Sequence, residues 1–268
     1  MKRGLGRWLS LRTLSYLRYL PSIVRTVENW PTFLANYTGL SHRGGTYRLR
    51  NGMRLSDEEG LLTGTIAVVF LRKHYGTFRD KSVIVDIGAN IGVFTLYAAA
   101  QCPEARIYSF EPVPKNFACL RRNVASNRLE GRIRTFNLGV AATSGKRTLH
   151  LSSSPLHSVF DSEADTESLE IECVTLPEIL SSNGLDRIDL MKMNCEGAEY
   201  EIFYSAPDDC LLKISEIRME FHNMDAEENN VEKLIGFLER KGFRTTHFWG
   251  NKRVLDTANP NGFLWMER

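Results

Sequence analysis

Long apolar runs and paired cysteines are both missing from this 268-residue chain. No apolar run approaches the ~20 residues that a membrane-spanning helix needs, so we expect no spanning helix. Arg12 and Arg18 interrupt the apolar part of the N-terminal segment and no small-residue cleavage site follows, so the sequence does not predict a signal peptide. The five cysteines are scattered and include no Cys-x-x-Cys pair. This spacing predicts reduced thiols in a cytoplasmic protein.

Strong charge of either sign is also lacking, because the formal net charge is only +2. Residues 1–30 carry six basic residues against Glu28 alone, which leaves 28 basic and 31 acidic residues elsewhere. Such a near-neutral body is a poor candidate for a nucleic-acid groove, so we expect no nucleic-acid partner. Residues 5–40 predict two or three short helices that cover the core or a second subunit of a homo-oligomer. The alternative is a basic segment that makes peripheral contact with a membrane.

The segment 82–112 contains the strand, turn, helix and strand of a nucleotide-binding unit. Val83–Ile87 is an unbroken apolar and β-branched run, which is typical of a buried strand in a parallel sheet. A glycine turn, a helix and a second strand over Arg106–Phe110 follow, and Glu111 comes directly after that strand, with Pro112 keeping the chain extended. Glu111 lies 23 residues after Gly88, near the offset at which such units place an acid on ribose hydroxyls.

The turn lacks the Gly-x-Gly-x-x-Gly pattern of dinucleotide-binding proteins and instead is Asp86-x-Gly88-x-Asn90-x-Gly92. An acid at the strand end would repel a pyrophosphate and suits a cationic ligand. The sulfonium amino acid of S-adenosylmethionine (SAM) is such a ligand. We therefore predict that SAM lies between the carboxylates of Asp86 and Glu111, against the glycine turn.

Three segments, VDIGANIG, SFEPVPKNFACLRRNVASN and DLMKMNCEGAEYEI, resemble the FkbM-type family of SAM-dependent methyltransferases. They occur in the family's order within roughly residues 60–245. The resemblance implies a Rossmann-like α/β fold, with a mostly parallel seven-stranded sheet and helices on both faces. It also implies SAM as the cofactor and a small-molecule acceptor, methylated at a hydroxyl of a sugar or natural product.

We expect a methyltransferase domain over residues 56–268, preceded by a helical and hairpin extension over residues 1–55. Asn51-Gly52 between two strand-like runs is a strong hairpin signal. A β-hairpin insertion over about 145–175 is predicted to carry a mobile lid with His157. We predict a catalytic or substrate-binding role for His157, with an ordinary surface histidine as the alternative.

Further strands complete the predicted sheet, over residues 132–138, 188–194 and 214–221, with an edge hairpin over 243–249 and 262–266. In open α/β sheets, ligands bind beyond the carboxyl ends of the strands, where the strand order reverses. Asn137 and Gly139 follow the third strand, where this fold usually places a group near the adenine amine. Asn137 can both donate and accept a hydrogen bond, so we predict that it contacts adenine, with a turn-forming role as the alternative.

Polar side chains gather at the ends of the fourth and fifth predicted strands. Alternation places Lys192 and Asn194 on one face of the fourth strand, and Glu220 and His222 on one face of the fifth. Buried unpaired charge is costly, so this set predicts catalytic residues, with a structural pair of Lys192 and Glu196 or Glu220 as the alternative. Glu196 is the preferred general base, because its loop lies beside the methyl group of the cofactor in this fold.

Asn194 departs from the family, which usually has Asp-x-Glu-Gly where this chain has Asn-Cys-Glu-Gly over residues 194–197. The change removes a carboxylate that could serve as a base or a metal ligand, so we predict no metal, and we retain Asn194 as a cofactor contact. Three functions remain open: O-methylation of a small molecule, N-methylation of a small amine, and a non-catalytic or dinucleotide-binding protein with a Rossmann-like fold.

Overall fold

The computed structural model describes residues 19–41, 44–57, 63–151, 157–158, 167–224, 227–250 and 261–268. The chain forms two compact units, Met1–His74 and Tyr75–Arg268, whereas the sequence places the start of the methyltransferase domain at residue 56. Among the described residues, no helix is long and apolar enough to cross a membrane. Residues 1–18 lie outside the described part, so the membrane contact and the oligomer inferred from the N-terminal segment stay predictions.

The first unit contains short helices and a β-hairpin. Their bounds are α1 Leu20–Thr26, α2 Trp30–Tyr37, β1 Gly45–Arg48, β2 Arg54–Asp57 and α3 Thr63–Ile66, with a π-helical turn over Ala67–Leu71. The hairpin predicted around Asn51-Gly52 is present, with β1 and β2 antiparallel. Asn36 in α2 donates a hydrogen bond of 2.7 Å to the hydroxyl of Tyr47 in β1, and Phe33 packs edge-on against the Tyr47 ring. These contacts fix the hairpin against α2.

The second unit is built on a seven-stranded sheet. Its strands are β3 Val83–Ile87, β4 Arg106–Phe110, β5 Ile133–Phe136, β10 Leu190–Met193, β11 Glu216–His222, β12 Arg244–Trp249 and β13 Asn261–Glu267. Their order is β5-β4-β3-β10-β11-β13-β12, and β13 runs in the direction opposite to the other six strands. Every residue of β3 and β10 is buried, as expected of central strands covered on both faces. The predicted mostly parallel α/β sheet is confirmed.

The described residues of the second unit include six helices that follow strands along the chain: α4 Val93–Gln101, α5 Pro114–Ser126, α6 Leu176–Ser182, α7 Glu199–Ser205, α8 Asp208–Leu211 and α9 Val231–Arg240. The side chain of Asn230 caps α9 by accepting from the backbone N–H of Lys233 at 3.0 Å. α4 and α7 begin directly after the turns that follow β3 and β10. Both helices therefore begin at the edge of the sheet where those strands end.

The predicted insertion forms a separate small sheet rather than a hairpin alone. Its strands are β6 Gly139–Val140, β7 Gly145–Leu151, β8 His157–Ser158 and β9 Glu167–Val174, in the order β6-β9-β7-β8. Gly139 begins β6, and a Cβ there would lie 2.7 Å from the sulfur of Cys173 in β9. Most of the predicted lid, 153–167, and the side chain of His157 lie outside the described residues.

Candidate active site

The carboxyl ends of β3, β4, β10 and β11 lie next to one another in the sheet. The strand order reverses between β3 and β10, because β4 and β5 extend the sheet on one side of β3 while β10 and β11 extend it on the other. Open α/β sheets bind their ligands in the crevice at such a point. The residues that follow these four strand ends therefore form the candidate active site.

The turn after β3 depends on glycine. Gly88 adopts φ +71°, and a Cβ there would lie 1.9 Å from the backbone oxygen of Asn194. The N–H of Gly88 donates to the carbonyl of Phe110 at 3.0 Å, which fixes the turn against the end of β4. Gly92 adopts φ +89° at the start of α4, with a Cβ position only 2.6 Å from the side chain of Leu120. Glycine at position 88 thus lets the backbone after β10 approach the turn.

Glu111 is held by the backbone around it. One carboxylate oxygen accepts from the N–H of Asn90 at 2.8 Å and the other from the N–H of Val113 at 2.9 Å. Burial raises the pKa of Glu111 to about 7, although these hydrogen bonds oppose the rise. Asn116 adds a long hydrogen bond of 3.5 Å to the oxygen that Val113 contacts, so the oxygen that Asn90 contacts is the more open one for a ribose hydroxyl. The carboxylate is thus fixed in place and still able to bind a diol.

Asn137 and Gly139 have structural roles of their own. The amide nitrogen of Asn137 donates to the carbonyl oxygens of Glu111 and Pro112, at 2.9 and 2.8 Å, and so fixes the segment that carries the Glu111 carboxylate. Only the amide oxygen is left for the predicted contact with adenine. Gly139 belongs to the insertion sheet, where its lack of a side chain allows close packing on Cys173.

Asp86 and Lys192 form a buried ion pair that the sequence did not predict. They are directly opposite in the register of β3 and β10, with 3.0 Å between Lys192 Nζ and Asp86 Oδ1. Thr95 donates to the other oxygen of Asp86 at 2.6 Å, and Lys192 also donates to the carbonyl of Gly88 at 2.8 Å. The predicted contact of the Asp86 carboxylate with the cationic end of SAM stays a prediction, with Lys192 beside one of its oxygens. Lys192 supports the glycine turn and pairs with neither Glu196 nor Glu220, the two predicted alternatives.

Glu196, His222 and Glu199 form a chain of carboxylate, imidazole and carboxylate, which we call the acid–histidine chain. Glu196 Oε2 lies 3.2 Å from His222 Nε2, and His222 Nδ1 lies 3.0 Å from Glu199 Oε1. The side chain of Glu196 is 22% exposed, whereas those of His222 and Glu199 are 7% and 0% exposed. Glu196 also adopts φ +53°, a backbone conformation that is uncommon for non-glycine residues and occurs at functional sites. Glu196 is thus the most exposed member of the acid–histidine chain.

Burial and neighbouring charges set the protonation of this chain. Burial raises the pKa of Glu196 to about 7, while the attraction of His222 opposes the rise and Glu220 and Glu199 add to it. Burial acts to lower the pKa of His222, but Glu199, Glu196 and Glu220 outweigh it and raise that pKa to about 9. A base whose pKa lies near neutrality suits proton transfer at physiological pH.

Asn194 lies beside Glu220, and its amide nitrogen donates to the Glu220 carboxylate at 3.0 Å. The Asp usual in the family would place a second acceptor against Glu220, whereas Asn supplies a donor. Among the described residues, no hydrogen-bond donor reaches the buried amide oxygen of Asn194. This oxygen can therefore accept a hydrogen bond from a bound ligand.

Glu199 is the residue that sequence reasoning missed. It occupies the first position of α7, three residues after Glu196, and sequence alone gives an acid there a ready explanation as a favourable charge at a helix N-terminus. Its position next to His222 depends on the pairing of β10 with β11.

A family model described as the methyltransferase FkbM domain matches residues 86–245. The chain belongs to this family. The match begins at Asp86 and includes the glycine turn, Glu111 and the whole acid–histidine chain. The methyltransferase assignment of the sequence is therefore confirmed for this FkbM-family protein.

Curated relatives of this FkbM-family protein include enzymes of different sizes. It is 27% identical to the 31-O-demethyl-FK506 methyltransferase FkbM of Streptomyces tacrolimicus, over 61% of this chain and 74% of that protein. It is 28% identical to Methyltransferase 1 of Beauveria bassiana, over 65% of this chain and 78% of that protein. It is also 26% identical to the AMB antimetabolite synthetase AmbE of Pseudomonas aeruginosa, where the match covers 62% of this chain but only 10% of that protein.

Two solved structures show a more distant likeness. P. horikoshii TYW2 in complex with MeSAdo is 14% identical with a TM-score of 0.49, over 85% of this chain and 72% of that chain. The precorrin-6y C5,15-methyltransferase of Geobacter metallireducens is 15% identical with a TM-score of 0.43, over 74% of this chain and 88% of that chain. The fold assignment itself rests on the observed order and direction of the seven strands.

Two groups at the strand ends have the chemistry to hold the SAM cofactor of the FkbM-family protein. Glu111 can accept from a ribose diol, and the orphaned oxygen of Asn194 can accept from a donor on the ligand. Asp86 is paired with Lys192, and its predicted contact with SAM stays a prediction. Within the part of the chain that the structure describes, no group of three or more His, Cys, Asp or Glu side chains is arranged to hold a metal ion.

The raised pKa of Glu111 predicts that the affinity for the ribose half of the cofactor depends on pH. The ionised carboxylate is the better acceptor for two hydroxyls, and with a pKa of about 7 its population rises about tenfold between pH 6 and pH 8. We expect the affinity for methylthioadenosine, which has no titrating amine, to rise by about this factor in calorimetry. Glu111→Gln should bind more weakly and lose the pH dependence. A wild-type affinity that is flat over this range would contradict the assignment.

Proposed function

We propose that this protein transfers the methyl group of SAM to a hydroxyl of a small molecule, with Glu196 as the general base. The observation that carries the proposal is the position of Glu196, which follows β10 beside the reversal of strand order, is 22% exposed and lies 3.2 Å from His222. Its pKa of about 7 leaves a large ionised fraction at neutral pH. A carboxylate in this state can accept the proton that a hydroxyl must lose.

The chemistry needs little more from the protein than orientation and proton removal. Bound SAM supplies an electrophilic methyl group on a sulfonium that leaves readily. As the acceptor oxygen forms its bond to the methyl carbon, the carbon–sulfur electrons stay on sulfur and the hydroxyl proton passes to Glu196. Holding the acceptor in line with the methyl group can contribute ~7–11 kcal/mol, and a positioned base adds ~10²–10⁴-fold.

The other residues have supporting roles in this proposal. Glu111 binds the ribose diol and Gly88 permits the backbone to close around the cofactor. The Asp86–Lys192 pair stiffens the base of the turn without contacting the acceptor. Glu220, held by Asn194, offers a second carboxylate beside the acceptor. The role of His157 stays a prediction, because its side chain lies outside the described residues.

The choice of a hydroxyl acceptor draws support from the relative in Streptomyces tacrolimicus, whose name states that it methylates 31-O-demethyl-FK506. The carboxylates of Glu196 and Glu220 and the oxygen of Asn194 are all acceptors, so they would also bind the N–H groups of an amine. N-methylation of a small amine is thus the alternative that this site allows.

Calorimetry and a transfer assay test the proposal. We expect SAM and S-adenosylhomocysteine to bind and NADH to show no heat of binding. We then expect label from methyl-labelled SAM to appear on hydroxyl compounds in a panel of matched alcohols and amines. Failure of both SAM and S-adenosylhomocysteine to bind would remove the proposal, and transfer confined to amines would replace O-methylation by N-methylation.

A further inference from the structure

Glu199 is completely buried and makes three contacts from one carboxylate. Oε1 accepts from the N–H of Cys195 at 3.0 Å and Oε2 accepts from the N–H of Gly197 at 2.8 Å. The third contact is with His222 Nδ1 at 3.0 Å. The carboxylate therefore fixes the loop that contains Glu196 and, at the same time, the histidine that Glu196 touches.

These contacts determine which way His222 is protonated. A carboxylate that receives backbone N–H groups on both oxygens acts as an acceptor, so the ring nitrogen that faces it must be the donor. We therefore assign a proton to Nδ1. The other nitrogen, Nε2, is buried and has no hydrogen bond among the described residues, but it lies 3.2 Å from Glu196 Oε2, so a second proton on the ring would make His222 and Glu196 an ion pair.

We propose that Glu199 is a positioning residue that keeps His222 in the imidazolium form, and that this cation holds Glu196 ionised and ready to accept the proton of the acceptor. Glu199 touches neither acceptor nor cofactor in this scheme and acts through His222. The inference rests on the proposed function for the base role of Glu196. The protonation of His222 can be measured without any methyl transfer.

The groups that face His222 favour the cation. Glu199 faces it from the start of α7, Glu196 from the loop after β10, and Glu220 from β11 itself. On the other side, the register of β11 and β13 places the uncharged Asn261 opposite His222. Three carboxylates thus surround one imidazole, and together they outweigh its burial and raise its pKa to about 9.

The same charges explain how the chain would tune Glu196. Burial and the neighbouring carboxylates favour the protonated form of Glu196, and the attraction of His222 is the strongest effect that opposes them. If His222 became neutral, Glu196 would lose that attraction and hold its proton to a higher pH. Glu199 therefore influences the pKa of Glu196 indirectly, through the charge of His222.

NMR titration of the His222 ring in the full-length protein tests the inference, with His222→Gln used to assign its signals. In the wild type we expect His222 to titrate near pH 9. In Glu199→Gln we expect its pKa to fall by about one unit or more, because the variant keeps the shape of the side chain but removes the nearest charge. Glu201→Gln, on the same helix but paired with Arg147, should leave the pKa of His222 unchanged.

The pH profile of methyl transfer supplies the second readout. In Glu199→Gln and in His222→Gln, the acid limb of the rate should move to higher pH, since Glu196 would need a higher pH to ionise. His222→Gln leaves the contacts of Glu199 with the loop in place. It therefore still tests the predicted shift of the acid limb if Glu199→Gln does not fold. Glu201→Gln should keep the wild-type profile.

Two results would overturn the inference: a wild-type His222 that titrates at or below its ordinary value of about 6.5, or a His222 pKa and an acid limb that do not move in the variants. Loss of SAM binding by the wild type would instead remove the proposed function. The NMR titration would still decide whether Glu199 holds the charge of His222, so the two failures can be told apart.

Discussion

Glu196→Gln is expected to lower the rate of methyl transfer by about 10²–10⁴-fold, the range that a positioned general base contributes. Gln has nearly the same shape as Glu and can still contact His222 Nε2, but it cannot accept a proton at neutral pH. SAM affinity should stay within about threefold of the wild type, because the lost interaction belongs to the chemical step. Single-turnover transfer of labelled methyl and calorimetry with SAM measure the two quantities separately.

Glu104→Gln is the matched control for this experiment. Glu104 is exposed and precedes β4, at the edge of the sheet opposite the candidate active site. The control should retain both the rate and the affinity of the wild type. If Glu196→Gln kept the wild-type rate, or lost SAM affinity and rate in equal measure, Glu196 would not be the base.

Lys192→Met is expected to destabilise the protein by about 3–5 kcal/mol, the usual effect of removing one partner from a buried ion pair. The side chain of Asp86 is 0% exposed and that of Lys192 is 5% exposed, so the remaining carboxylate would be left in the protein interior without its counter-charge. Asp86→Asn should also destabilise. The double variant should recover much of the loss, because it leaves no uncompensated charge. Urea unfolding of the four proteins gives the coupling energy.

The pair of Lys146 and Glu170 is a control on the protein surface. Its atoms are 2.7 Å apart, but its side chains are 69% and 65% exposed. The corresponding cycle with Lys146→Met and Glu170→Gln should give a coupling energy of only about 0–1 kcal/mol. Equal coupling energies in the two cycles would show that burial does not strengthen the interaction between Asp86 and Lys192.

Local patterns were sufficient to predict most of the fold. Val83–Ile87 and Arg106–Phe110 are mostly apolar and are followed by Gly88 and Pro112, and the structure has both strands with the predicted limits. The edge hairpin of β12 and β13 was predicted from the family resemblance, and the structure has it. The insertion was predicted only as a hairpin, because its pairing with the short strand at Gly139 joins residues far apart in the chain.

The site was predicted less completely, since its contacts depend on which strands are neighbours. Side-chain alternation correctly places Lys192 on one face of its strand, but only the pairing of β10 with β3 shows that Asp86 lies opposite. In the same way, only the pairing of β10 with β11 brings Glu199 to His222. A single sequence shows which residue types are present, but it does not show which of them meet across neighbouring strands.

The approach of the Asn194 carbonyl to Gly88 has a consequence for the order of folding. The two residues are 106 positions apart in the sequence, yet the oxygen of one occupies the space where a side chain of the other would be. The glycine turn after β3 therefore lacks its contact with the Asn194 backbone until β10 has paired with β3. The chain must bear the entropic cost of closing this long loop before the contact forms, and this slows the folding of the site. A nascent chain that ends before residue 190 should have no competent nucleotide pocket, however well β3, β4 and β5 have already paired.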